Sequence, residues 1–383
     1  MAGIYIHIPF CRSRCIYCGF YSTTSLELRQ RYVDALCREM EIRSQRSEVR
    51  GENIETIYLG GGTPSQLTFD QLRQLFIYIN KVYPLPSKPG GAEDRPEITI
   101  EVNPDDVTVE FAAVLQQLPV NRVSMGIQTF DDQRLRFLRR RHTARQAIEA
   151  VSILRAAGIR NISIDLMYGF PGETLADWEA DIDAALALNV EHLSAYCLMI
   201  EEGTPLHRML KQHTGDEETE RQMYEVLIDR LTTADYEHYE ISNFARPGFR
   251  SRHNSSYWNG TPYIGLGAAA HSYDIRSRSW NVADIRQYIE GMERCERIFE
   301  EELLDDDTRY NDIVTVALRT REGIDLNALS EKYQNYCIKN ARLYLDDGLL
   351  ELTSPLSPVT SHLRLTRRGL FVSDMVMSDL MMV

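Results

Sequence analysis

Cys11, Cys15 and Cys18 stand four and three residues apart, just behind a short alternating run, Ile4-Tyr5-Ile6-His7-Ile8-Pro9. Ile4, Ile6 and Ile8 alternate with Tyr5 and His7, the period-two pattern of a strand. A strand that ends in a tight loop can aim three side chains at one point, and three thiolates so close together suit a soft metal centre. Iron–sulfur clusters usually take four cysteines. Three leave one iron with an open position, where a small molecule can bind and react, as at catalytic metal sites. The same residues would serve a zinc site, or two structural thiols and an unrelated third. Zinc sites more often add a second Cys or His pair, and no second Cys pair at such spacing occurs in the sequence.

The elements that must position this loop read as a series of βα units. Further strands are expected over 54–59, 97–102, 122–127, 161–166 and 191–198, with helices over 26–44, 70–82, 108–118 and 131–157, the last broken near Arg140-Arg141-His142-Thr143. Thr174, with Asp177 three residues on, marks a further helix start. Strands alternating with helices six times imply parallel pairing with right-handed crossovers. Six units make a partial (β/α)6 TIM-like barrel, short of the full eight. The residue types suited to chemistry fall at the expected C-terminal strand ends: the cysteines, Gly60-Gly61-Gly62-Thr63, Glu101, Gln128 and Asp165. That rim is where barrel folds place their active sites. Glycines there let the backbone approach a ligand closely, and carboxylates and an arginine can hold hydroxyls and a carboxylate. Cys37, inside the first helix, reads as a buried small apolar residue.

Cys-x3-Cys-x2-Cys resembles the signature of the radical S-adenosylmethionine (SAM) enzymes. The strings Glu-Val-Asn-Pro, Gly-Ile-Gln-Thr-Phe, Arg-Arg-Arg-His and Ile-Asp-Leu-Met-Tyr-Gly-Phe-Pro-Gly-Glu-Thr are similar to those of its coproporphyrinogen-oxidase-like branch, over almost the whole chain. The resemblance implies a [4Fe–4S] cluster on Cys11, Cys15 and Cys18, with SAM on its fourth iron. It also implies that Tyr5, Gly61, Gly62, Thr63, Glu101, Gln128, Arg140 and Asp165 contact SAM, with Tyr17 packing near the adenine, and that an electron donor serves the cluster. Within the branch, the oxygen-independent coproporphyrinogen III oxidase carries another cysteine two positions after the third, where this chain has Phe20. The oxidase also has an extension ahead of its first strand. His253-Asn254-Ser255-Ser256-Tyr257-Trp258 instead resembles the His-Asn-x-x-Tyr-Trp string of the branch's haem chaperones. That implies haem as cargo, with His253, Tyr257 and Trp258 as haem-binding candidates and transfer to acceptor proteins, membrane-associated ones among them. An imidazole can ligate haem iron, and aromatic rings offer flat faces to a macrocycle. His7, His142 and His271 are other candidate ligands. The alternatives are the oxidase itself, in porphyrin biosynthesis, or a related radical SAM methyltransferase.

The remainder divides the chain into three expected parts. These are a barrel over 1–205, a barrel extension over 206–300 containing a long Gly- and aromatic-rich loop with the His253 string, and a C-terminal α+β, winged-helix-like domain over 301–383. Residues 84–96, with four prolines and two glycines, read as a surface insertion. A net charge of −14 argues against nucleic acid as a partner. Seven cysteines in 383 residues fit a reducing compartment. Together with the lack of a signal peptide or a long apolar run, they lead to the expectation of a cytoplasmic protein. On this reading, anaerobically reconstituted Cys15→Ala loses its iron and sulfide while Cys37→Ala and Cys197→Ala keep theirs. Wild-type protein that takes up stoichiometric zinc but neither iron nor sulfide contradicts it.

Overall fold

The computed structural model describes residues 2–45, 54–83, 95–210, 216–353 and 361–383. The barrel begins with β1 (Ala2–Ile8), the cysteine loop and α1 (Arg29–Gln45). It continues through β2 (Ile54–Gly61), α2 (Phe69–Val82), β3 (Glu97–Val102), α3 (Val109–Leu115), β4 (Arg122–Gln128), α4 (Asp132–Phe137), α5 (Ala144–Ala156), β5 (Asn161–Tyr168), α6 (Leu175–Ala187) and β6 (His192–Cys197). The strands β1 to β6 pair in sequence order, all parallel. Most of the expected insertion over 84–96 lies outside the described residues.

The alternation within each strand explains the layers. Ile4, Ile6, Ile8, Ile57, Leu59, Ile98, Ile100, Val123, Met125, Ile127, Ile162, Ile164 and Leu166 are buried on the face toward the helices. Burying each such side chain contributes roughly 1.5–3 kcal/mol. The opposite parity carries Tyr5, His7, Thr56, Tyr58, Glu97, Thr99, Glu101, Arg122, Ser124, Ser163, Asp165, His192 and Ser194, which line the lumen. Helix starts are set locally. Thr68 with Gln71, Thr143 with Gln146 and Thr174 with Asp177 each form a reciprocal capping box.

After α7 (Pro205–Met209) and α8 (Glu217–Thr233), β7 (Glu237–Glu240) and β8 (Asn243–Ala245) close one side of the sheet, β8 running antiparallel to β6. Next come α9 (Arg252–Trp258), β9 (Tyr263–Leu266), β10 (His271–Tyr273), β11 (Ser277–Asn281), α10 (Ile285–Glu293) and β12 (Phe299–Leu303). β9 joins the other side, parallel to β1, so the sheet has twelve strands among the described residues. The fully buried Glu39 of α1 ties this extension down by accepting from the Tyr288 hydroxyl, the Asn281 side chain and the Gly267 amide.

A second buried cluster belongs to α11 (Asp306–Ala317), β13 (Ile324–Asp325), α12 (Glu331–Asp346), β14 (Leu350–Thr353), β15 (His362–Leu365), α13 (Arg367–Leu370) and α14 (Ser373–Leu380). Its three strands form an antiparallel sheet in the order β13-β15-β14. Among the described residues, no helix is long and apolar enough to cross a membrane.

The expected long loop around His253 contains the helix α9. Ser251 caps it by accepting from the Asn254 amide. Glu97, the first residue of β3, accepts from the amides of Arg252 and His253 at 3.1 Å each. A seven-residue helix has too few turns to show a period, so sequence reads it as loop. Its N-terminus is fixed by a carboxylate from a strand far away in the chain.

Candidate functional site

The sequence-identified residues gather in two places, at opposite ends of the barrel. At the C-terminal rim, the half-buried thiols of Cys11, Cys15 and Cys18 are all free of disulfides. Cys11 Sγ lies 3.6 Å from Thr63 Oγ1, and Arg140 Nη1 lies 3.6 Å from Cys15 Sγ. Asn103 connects the two contacts, donating to Thr63 at 3.2 Å and accepting from Arg140 Nη2 at 2.7 Å. Burial pushes the Cys11 and Cys18 thiols up; Cys15 raises both further, and Cys11 adds to the rise at Cys18. Among the described residues, no three His, Cys, Asp or Glu side chains converge closely enough to hold a single metal ion. A cuboidal cluster asks for a wider triangle, because each thiolate binds a different iron. Three free thiols around one loop, with a guanidinium beside them, fit that group.

The other rim residues are positioned by the same hydrogen-bond web. Glu101 accepts from the Gly61 amide at 3.0 Å and from the Tyr58 hydroxyl at 2.7 Å. Gly61 has φ +107°, and a Cβ there would stand 2.5 Å from the His7 ring, so only glycine fits. A Cβ on Gly62 would meet the Pro9 backbone at 2.6 Å. The glycines therefore serve close packing of β2 on β1 as well as any ligand. Gln128 holds φ 74° at a bulge in β4, a strained conformation of the kind that collects at functional sites. β2 and β5 run two residues further than expected, which places Asp165 inside its strand rather than at the end. Tyr17 shares the electrostatic surroundings of Arg140, Cys15, Cys18 and Asp165. Phe20 is 70% exposed beside the loop.

Tyr5 lies one layer below the rim. Its hydroxyl and His7 Nδ1 are 3.0 Å apart, and its ring stacks on Tyr58. His253 sits at the base, 1% exposed, with its ring against Tyr58 at 5.0 Å and Tyr5 at 6.4 Å. Its Nδ1 is 2.8 Å from Thr56 Oγ1 and its Nε2 is 2.9 Å from the Tyr257 hydroxyl. Both ring nitrogens are thus engaged, and burial lowers its pKa to about 3. His7 and His142 are likewise buried, lowered to about 4 and about 3, each with a ring nitrogen bonded to a backbone carbonyl. His271 is exposed and stacks on Trp280. Tyr257 and Trp258 leave the lumen altogether. They line a cleft of about 940 Å³ between the barrel base and α11, with Tyr239, Tyr263, Ile313 and Val316 among its other walls. Arg250 and Arg278 also face it, the first paired with Glu237 and Glu322, the second with Asp312.

Sequence reading missed Tyr58, Asn103, Arg122 and His192. Each is placed by strand parity or by one link to a residue that was identified, and the polar parity of all six strands is visible in the sequence.

Residues 5–185 match the model of the radical SAM superfamily. The chain is 35% identical over 341 residues to the haem chaperone HemW of Bacillus subtilis (strain 168), covering 87% of each chain. It is 33% identical over 389 residues to the haem chaperone HemW of Mycobacterium tuberculosis (strain H37Rv), covering 99% of this chain and 94% of that one. Among solved structures, coproporphyrinogen III oxidase (HemN) from Escherichia coli, described as a radical SAM enzyme, superposes with a TM-score of 0.83 at 22% identity. That match spans 99% of this chain and 90% of that one, and it shows the shared fold.

Burial pushes the Glu101 carboxyl up from 4.5 to about 7 and the Asp165 carboxyl from 3.8 to about 6. A carboxyl with a raised folded value binds its proton more tightly when folded. For Glu101, stability therefore falls as pH rises from about 4.5 to about 7, and levels off above. Glu101→Gln removes that cost. In ligand-free protein it should raise unfolding stability by about 1–3 kcal/mol near pH 8, with the gain vanishing near pH 4. Denaturant unfolding at both values checks this, and a gain independent of pH contradicts it.

Proposed function

Since this chain belongs to the HemW family within the radical SAM superfamily, we propose that it is a haem chaperone. It binds haem and passes it to acceptor proteins, membrane-associated ones among them. Cys11, Cys15 and Cys18 would hold a [4Fe–4S] cluster, and the rim residues Tyr5, Tyr17, Gly61, Gly62, Thr63, Glu101, Gln128, Arg140 and Asp165 would hold SAM. When bound and reduced by an electron donor, the cluster supplies an electron to SAM. The chain's own part is to orient and to screen. Arg140 places positive charge beside the Cys15 sulfur. Glu101, kept in place by Tyr58 and Gly61, offers its carboxyl to hydroxyls at the rim. Reducing conditions in the cytoplasm suit such a centre.

The observation that supports haem as cargo is the base cleft. Its volume of about 940 Å³ suits a large planar ligand. Tyr257 and Trp258 give it flat walls, Ile313 and Val316 give it apolar ones, and Arg250 and Arg278 bring cations suited to propionates. The buried Trp258 Nε1 has no hydrogen-bond partner among the described residues. His253 reaches this cleft through Tyr257, whose hydroxyl its Nε2 holds. Tyr257 is therefore the cleft-side haem contact that His253 positions, as a neutral phenol, since burial pushes its pKa up and keeps the imidazole behind it uncharged.

Val316→Trp fills the cleft from α11 and changes no residue of the barrel. It should weaken haem binding roughly tenfold or more, a loss of about 1.4 kcal/mol, and leave SAM binding unchanged. Trp258→Ala should weaken haem in the same direction. Haem titration followed by absorbance checks both. Unchanged haem affinity in the two variants contradicts the placement. SAM-dependent decarboxylation of coproporphyrinogen III without haem binding would restore the oxidase reading.

A further inference from the structure

Deep in the lumen lies a cation with no direct ion-pair partner among the described residues. Arg122 is the first residue of β4 and is 1% exposed, yet its Nε and Nη1 have no hydrogen-bond partner among the described residues. It forms no ion pair among the described residues. A buried guanidinium whose nitrogens lack direct partners is costly for a fold to enclose.

Glu101 and Asp165 lie close enough to feel the Arg122 charge, but all three lumen carboxylates spend their hydrogen bonds elsewhere. Glu97 accepts from the α9 amides, Glu101 from Tyr58 and Gly61, and Asp165 from Ser194. The imidazoles facing Arg122 are committed as well. His192 lies between Ser163 and the Tyr239 hydroxyl at 2.7 Å each, and His253 between Thr56 and Tyr257. Thr99, paired in register with Arg122 on β3, is fully buried and its Oγ1 is also without a partner among the described residues. Tyr5 and Tyr58 continue the same layer across β1 and β2. Two unanswered donors thus sit side by side in one layer, between the rim above and the cleft-lining Tyr239 and Tyr257 below.

We propose that Arg122 and Thr99 form an anion site in the barrel lumen that takes a carboxylate. A guanidinium fork matches that group's geometry, and the hydroxyl adds a third donor. The carboxylate has two possible sources: a small carboxylic acid admitted to the lumen, or a propionate of haem reaching in from the base cleft. Only the second source rests on the haem reading, so the first tests the site by itself.

Two measurements on the full, cluster-reconstituted chain separate them. One follows the unfolding temperature in sodium propionate against sodium chloride at equal ionic strength. The other compares affinity for haem with affinity for haem dimethyl ester, which has no free carboxylates. A lumen acid predicts stabilisation by propionate above chloride. A haem propionate predicts that haem binds roughly tenfold or more tighter than its ester. In Arg122→Gln the propionate stabilisation should disappear and the preference for haem over its ester should shrink, because Arg250 and Arg278 remain in the cleft; Arg122→Lys, which keeps the charge and loses the fork, should weaken each response less. Thr99→Val, which removes one donor and no charge, should weaken the same response about threefold, and it carries the test if the arginine variants do not fold. The proposal is overturned if wild-type protein shows neither response, or if Thr99→Val and the folded arginine variants respond as wild type does.

Discussion

Six parallel strands turn every second side chain into one enclosed lumen, and in this chain those side chains are polar. The other arrangements follow from that constraint. The outward parity is almost uniformly Ile, Leu, Val and Met, which seats the helices and fixes the register. The inward parity must satisfy its hydrogen bonds within the lumen or with a ligand, because little water reaches it. Tyr–His pairs do much of this: Tyr5 with His7, Tyr257 with His253, and Tyr239 with His192. Burial keeps these imidazoles neutral, so each can donate at one nitrogen and accept at the other.

The lumen also connects its two ends. Glu101 at the rim holds Tyr58, Tyr58 stacks on His253, and His253 holds Tyr257 in the wall of the base cleft. His253 is remote from the cysteine loop in sequence, but only Tyr58 separates it from a rim carboxylate. The helix that carries it is fixed by Glu97, whose neighbour on the lumen side of β3, Thr99, leads on to Glu101. A substitution at His253 therefore disturbs the plug of the barrel, and its effects will not stay at the base.

Much of the rim was legible before any coordinates. Cysteine spacing, strand ends and glycine placement are local signals, and Cys11, Cys15, Cys18, Thr63, Glu101 and Arg140 do meet there. The base was less legible. α9 is too short to show a helical period, and its first two amides are held by Glu97, 155 residues before Arg252. Arg122, at the start of a strand, looks like an ordinary surface residue. Only the shared parity of Thr56, Thr99, Arg122 and His192 indicates that it points inward. Likewise β9 joins β1 in parallel with no local mark of that pairing.

The central claim is that cofactor and cargo occupy opposite ends of one barrel, about 20 Å apart along strands of this length. Titrating SAM into cluster-reconstituted protein, with and without saturating haem, tests it directly. The account predicts that both ligands occupy the same molecule at once. Mutual exclusion, with each added equivalent of one displacing the other, would contradict it.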